Sequence, residues 1–242
     1  MMARARSLLL WLVTLPVFVA ACAAVWLASF VVRGRALERL IKGGSRAVLL
    51  VAGVRLRVRG RENAVPGRQY VAMMNHVNFF DPLVFQAAIP PALRGVEEES
   101  HFRWPVYGGT IRRVGMFPIS RKDTASAVET LRRAAAWLRG RPDVTFGIMP
   151  EGTRTLDGRL GPFKRGGFLM AVDTGLDILP VVQSGAFEVA RKGSLAIRPG
   201  RVDVTVEPAV PTAGYTKETV QELIDRVRGV FLERLGERPE RP

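Results

Sequence analysis

Two residue types that build catalytic and metal sites are scarce in this chain of 242 residues: one cysteine, Cys22, and two histidines, His76 and His101. The lone cysteine excludes an internal disulfide and any cysteine-based metal site in the rest of the chain. His76 and His101 are the only nitrogen ligands and nothing groups them, so no metal and no cofactor is implied. There is no Gly-x-Ser-x-Gly elbow, and hence no sign of a covalent serine intermediate. Internal repeats and low-complexity segments are also missing. Lysine is rare: of 36 basic residues only five are lysines, at positions 42, 122, 164, 192 and 217.

Positive charge is abundant. The formal net charge is +14, which calls for an anionic partner: nucleic acid, an acidic lipid surface or a phosphorylated substrate. No nucleic-acid-binding motif accompanies the charge, so no nucleic-acid partner is expected. Residues 7–32 carry no charge at all. As one helix they would reach about 39 Å, longer than a hydrocarbon core of about 30 Å. Pro16 offers a break that would turn the segment into a membrane-embedded hairpin. Val19-Ala-Ala-Cys22 offers a rival, a lipoprotein processing site. The heavier basic flank, Arg33 to Arg46, lies on the C-terminal side. If the segment spans, that flank predicts a bacterial-type inner (cytoplasmic) membrane with the main domain on the cytoplasmic side.

Beyond the basic linker, Gly53 to Gly60 alternates strictly, a half-buried strand with arginines outward. Gln69–Met74, Val144–Met149 and Ile178–Val182 read as buried strands, with short strands at Val114–Ile119 and around Val202 to Val206. Helices are expected from Asp81, as N-cap before Pro82, to about Ile89, stopped by Pro90-Pro91; from an Asp123 cap to Leu138; from Phe163 to Thr174; and from Thr216 to Leu235. Strands alternating with helices predict a single mixed-sheet α/β domain flanked by helices, preceded by an N-terminal membrane-embedded helix or helical hairpin. The expected divisions are an anchor and basic linker at 1–46, the α/β domain at 47–235 and a frayed tail at 236–242.

Three polar clusters each follow an apolar strand, where open α/β sheets build sites. The first is Asn75-His76 with Asp81. His76 is either a general base steadied by the Asp81 carboxylate, or a satisfied histidine beside a plain helix cap. The second is Gly115-Met-Phe-Pro-Ile-Ser-Arg121. The third is Met149-Pro-Glu151-Gly152-Thr153-Arg154. Arg121 and Arg154 either grip a phosphate from two strand ends or stand in solvent. Glu151 is either an acid or the partner of an arginine, and Gly152 lets the backbone turn tightly toward a ligand. His101 has no paired pattern and reads as incidental.

Together, in this order and spacing, the clusters resemble the motifs of the 1-acylglycerol-3-phosphate acyltransferase family of glycerolipid acyltransferases. Asn75-His76-x4-Asp81 matches the first motif, Gly115 to Arg121 the second, Met149 to Thr155 the third, and Ile178-Leu-Pro-Val-Val182 the fourth. The resemblance covers about residues 50–210. It implies transfer of a fatty acyl group from acyl-CoA or acyl carrier protein to the free hydroxyl of a lysolipid, with 1-acylglycerol-3-phosphate first and a lyso-ornithine lipid as the alternative acceptor. A non-catalytic lipid-binding adaptor is the rival from another class. On this resemblance His76 and Asp81 are catalytic, and Asn75, Arg121, Glu151, Gly152, Thr153 and Arg154 bind substrate. Anionic lipids of a membrane surface are the further partner implied by the charge. One departure stands out. Where the family often carries a lysine-rich segment, this chain has Val96-Glu97-Glu98-Glu99-Ser100.

Overall fold

The computed structural model describes residues 2–89 and 92–238; the expected Pro90-Pro91 helix stop and residues 239–242 of the expected tail lie outside them. The apolar run is one helix, α1 (Met2–Ala28), which continues through Pro16. The hairpin bend comes later, at residues 29–33. The basic stretch expected as a linker is instead a second helix, α2 (Gly34–Val51). Its Leu37, Ser45, Val48 and Leu49 turn inward, at helical spacing that Gly43-Gly44 disguises. Gly44 has a structural use: a Cβ there would come to 3.1 Å from Ala21 Cβ, so it lets α1 and α2 pack closely.

Seven strands form one sheet in the order β1-β7-β6-β2-β5-β3-β4. The strands are β1 (Val54–Arg59), β2 (Val71–Met74), β3 (Leu93–Glu98), β4 (Phe117–Ile119), β5 (Thr145–Ile148), β6 (Ile178–Ser184) and β7 (Gly200–Val206). Every neighbouring pair is parallel except the antiparallel β6 and β7. The sheet is therefore mixed, and β2 to β6 all end along one edge. On β2 alternate residues enter opposite cores, Ala72 and Met74 facing α2 and α3 (Asp81–Ala88). Val71 and Met73 face α5 (Thr124–Leu138), α6 (Gly166–Thr174) and α8 (Val220–Leu235). The helices thus cover both faces.

Strand β3 and helix α4 (Tyr107–Val114) were also not expected. Strand β3 carries Arg94, Glu97 and Glu98, too polar to look like an interior strand. It is interior because Arg94, only 8% exposed, forms an ion pair with Glu38 of α2. The Val114–Ile119 strand shrinks to β4, α8 begins at Val220 rather than Thr216, and the short α7 (Ala186–Val189) was not foreseen.

Helix α1 lies lengthwise on the domain. Trp11 Nε1 donates to the Leu195 carbonyl at 2.7 Å, and its ring stacks on Phe79. Farther along, Thr110 Oγ1 donates to the Cys22 carbonyl at 2.9 Å, and Arg113 donates to Ser29. The opposite face shows Leu8, Leu9, Leu12, Leu15 and Val19 to the outside. The segment Arg4–Ala28 is long and apolar enough to cross a membrane.

Candidate active site

The strand β2 ends at Met74, and the chain then turns sharply into α3. Asp81 closes this turn. Its Oδ2 accepts the backbone N–H of Val77 at 2.5 Å and of Asn78 at 3.0 Å, and stands 2.7 Å from His76 Nδ1. The expected helix cap is corrected here: Phe80 holds the N-cap position, and the Asp81 carboxylate points back into the loop instead of forward onto the helix. Asp81 is fully buried and His76 is 8% exposed. With a carboxylate on Nδ1, the proton belongs on Nδ1, which leaves Nε2 as a proton acceptor.

Asn75 faces elsewhere. Its Nδ2 donates to the Gln183 carbonyl, its Oδ1 accepts the Gln183 N–H, and its own carbonyl accepts from Gln183 Nε2. Both ends of its amide are spent on tying β2 to β6. Asn78 plays a similar part, donating to Ala186 O at 2.7 Å.

Among the described residues Glu151 pairs with no arginine. Its carboxylate accepts the backbone N–H of His76 at 2.5 Å and of Gly161 at 2.9 Å. The turn 149–155 is thereby bound to the histidine loop, and Thr155 N completes the link by donating to the His76 carbonyl. Burial pushes the Glu151 carboxyl up from its ordinary 4.5 to about 7, against the pull of those two N–H donors. A raised folded-state pKa means that the folded chain binds more protons than the unfolded one between the two values. Its contribution to stability is present in full below about 4.5 and lost as pH rises through about 7, a swing of up to about 3 kcal/mol. We expect thermal unfolding in detergent to show wild type losing stability from about pH 5 to about pH 7, with E151Q flatter across the window. Parallel curves for the two proteins would show that Glu151 does not titrate there.

Gly152 has φ +67°, and a Cβ on it would come to 2.8 Å from Lys164 Cε. The glycine therefore serves both the turn and the close passage of Lys164. Thr153 Oγ1 accepts from Lys192 Nζ at 2.9 Å, and the Arg154 carbonyl accepts from the same ammonium at 3.3 Å. Arg154, Lys164 and Lys192 thus gather on one turn beside His76, and none of them takes part in an ion pair among the described residues. The two lysines did not stand out in the sequence. Their rarity was the available signal: two of only five lysines meet here.

Arg121 is not brought into that group. It follows β4 at the sheet edge, and its Nε pairs with Glu98 Oε2 at 2.6 Å. His101, read as incidental, has a partner after all: Nδ1 lies 2.7 Å from Glu97 Oε1, and Glu97 also accepts from the Tyr107 hydroxyl. The acidic segment is therefore mostly engaged by its own neighbours.

A family model described as Acyltransferase matches residues 55–184. The chain is 32% identical over 203 residues to 1-acyl-sn-glycerol-3-phosphate acyltransferase alpha of Homo sapiens, covering 83% of this chain and 71% of that protein. It is 25% identical over 188 residues to a 1-acyl-sn-glycerol-3-phosphate acyltransferase of Limnanthes douglasii, covering 78% of this chain and 66% of that one. The crystal structure of the 1-acyl-sn-glycerophosphate (LPA) acyltransferase PlsC from Thermotoga maritima superposes with a TM-score of 0.81 at 25% identity, covering 98% of each chain. All four motifs lie inside the matched segment, and the likeness to PlsC extends over the sheet and the N-terminal helices. The chain belongs to the acyltransferase family, alongside the 1-acyl-sn-glycerol-3-phosphate acyltransferases, and is an acyltransferase.

Proposed function

We propose that this chain moves a fatty acyl group from a thioester, acyl-CoA or acyl carrier protein, to the free hydroxyl of 1-acylglycerol-3-phosphate, giving phosphatidic acid. The observation that carries the proposal is the 2.7 Å contact between His76 Nδ1 and Asp81 Oδ2. It leaves His76 Nε2 to take the hydroxyl proton as the oxygen attacks the thioester carbonyl. Asp81 steadies the imidazolium that forms. The C–S bond then breaks, and the leaving thiolate takes the proton from His76. No atom of the chain is acylated on this path.

Arg154, with Lys164 and Lys192, holds the acceptor phosphate by charge-assisted hydrogen bonds. Glu151, Asn75 and Asn78 act through backbone contacts that keep His76 in place. The exposed apolar face of α1 embeds in one leaflet. A helix bound to the domain at Trp11, Cys22 and Ser29 would carry the domain with it if it crossed the bilayer upright, so it lies along the interface with the site mouth at the headgroups. Basic residues add roughly 1 kcal/mol each at an anionic surface, and the cytoplasmic leaflet, where thioester donors are made, is the face we assign.

An acceptor panel with labelled acyl-CoA and detergent-solubilised protein tests the proposal. Incorporation into 1-acylglycerol-3-phosphate is expected, with R154A raising the acceptor KM by about 10- to 100-fold. Absence of transfer to every lysolipid would sink the activity. Transfer only to phosphate-free acceptors would sink the acceptor assignment.

A further inference from the structure

The two arginines that the motifs single out meet different fates. Strand β3 lies between β5 and β4, so the β5 turn carrying Arg154 and the β4 end leading to Arg121 are about 10 Å apart at about 4.8 Å per strand. Glu98, the last residue of β3, stands between them. It has taken Arg121, with an Nε to Oε2 distance of 2.6 Å, and both side chains keep some exposure, 42% for Arg121 and 20% for Glu98. On the β5 side, among the described residues, no carboxylate forms an ion pair with Arg154, Lys164 or Lys192; Glu151 is buried and spent on backbone N–H groups, and Asp157 accepts from the Thr155 hydroxyl and the Arg159 N–H. The site is therefore lopsided: three unpaired cations on one flank and a neutralised one on the other.

We propose that Glu98 is a specificity-determining residue for the acceptor. It occupies Arg121 as a tethered internal anion and so limits how strongly the site draws a phosphate monoester. The inference rests on the acceptor reading above and goes beyond it by naming a residue, outside the motifs, that sets the affinity. A phosphate that reaches Arg121 must displace Glu98. The carboxylate therefore opposes anionic acceptors through its hold on Arg121 and is indifferent to uncharged ones. Its partial exposure sets the size of the effect, because screened ion pairs are weak.

The test compares E98Q with wild type on 1-acylglycerol-3-phosphate and on phosphate-free 1-acylglycerol, the latter followed as an acceptor or as a competitive inhibitor. E98Q is expected to lower the KM for the phosphate-bearing acceptor about two- to fivefold, with kcat and the 1-acylglycerol constant unchanged. Adding R121A to E98Q should cancel that gain, since it removes the cation that E98Q releases. An E98Q KM equal to that of wild type overturns the inference, as does an equal change for both lipids, which marks a merely structural residue. R121A alone raising the phosphate-acceptor KM tenfold or more, with E98Q inert, also overturns it, because Arg121 would then be in direct use despite its pair. Wild type that acylates only phosphate-free acceptors removes the acceptor reading and this inference together. Active wild type with an inert E98Q removes the inference alone.

Discussion

Replacing His76 by alanine is expected to lower kcat for acyl transfer on the order of 10²- to 10⁴-fold, the usual worth of a positioned general base, with little change in acceptor KM. The fold should survive, because the backbone bonds of residue 76 to Glu151 and Thr155 do not depend on its side chain. Asp81→Asn is the sharper version. Three donors converge on Asp81 Oδ2: His76 Nδ1, Val77 N and Asn78 N. An asparagine oxygen could keep the two backbone bonds, but it brings no charge to steady an imidazolium. Its NH2 would take the place of Oδ1, which is buried and has no hydrogen-bond partner among the described residues. D81N is therefore expected to cost kcat on a scale similar to H76A and to cost stability about 1–3 kcal/mol. Steady-state kinetics with labelled acyl-CoA, together with thermal unfolding, separates the two effects. Near wild-type turnover by D81N would remove Asp81 from the mechanism.

The second large effect lies away from the chemistry. Glu38 of α2 is 5% exposed and Arg94 of β3 is 8% exposed. The Glu38 carboxylate pairs with Arg94 and also accepts the Ala92 N–H at 3.1 Å. Glu38→Ala strands a buried guanidinium, which costs about 3–5 kcal/mol, and should lower the unfolding midpoint on the order of 10 °C. Replacing both partners, E38M with R94L, should recover most of the loss, since a buried ion pair rarely outdoes well-packed apolar side chains. The orphaned Ala92 N–H remains a cost of about 1–3 kcal/mol. If E38A were as stable as wild type, the pair would be solvated and α2 would be held to β3 by other contacts.

Legibility in the sequence followed contact distance. The His76 and Asp81 pair is five residues apart and closes within one turn, so the motif alone carried it. Strands β1, β2, β5 and β6 and helix α5 announced themselves by apolar periodicity and by the Asp123 cap, which does accept the Ser126 N–H. Helix α2 was hidden by Gly43-Gly44 and by its arginines, although its inward residues keep helical spacing. Strand β3 was hidden because its Arg94 is made tolerable by a residue 56 positions earlier. No local pattern reports such a partner.

Sequence by itself determined the fold class, the apolar N-terminal helix, the family and the pairing of His76 with Asp81, to which we assign the proton transfer. Each of these depends on residue order and short-range spacing. Tertiary structure alone decided which cations flank the histidine. It drew Lys164 and Lys192 to the β5 turn, led Glu98 to claim Arg121, spent Asn75 on β6 and laid α1 lengthwise on the domain. The physical reason is that a charged side chain takes its partner from whichever strand end or loop the sheet order places within reach, and that order is a property of the whole chain.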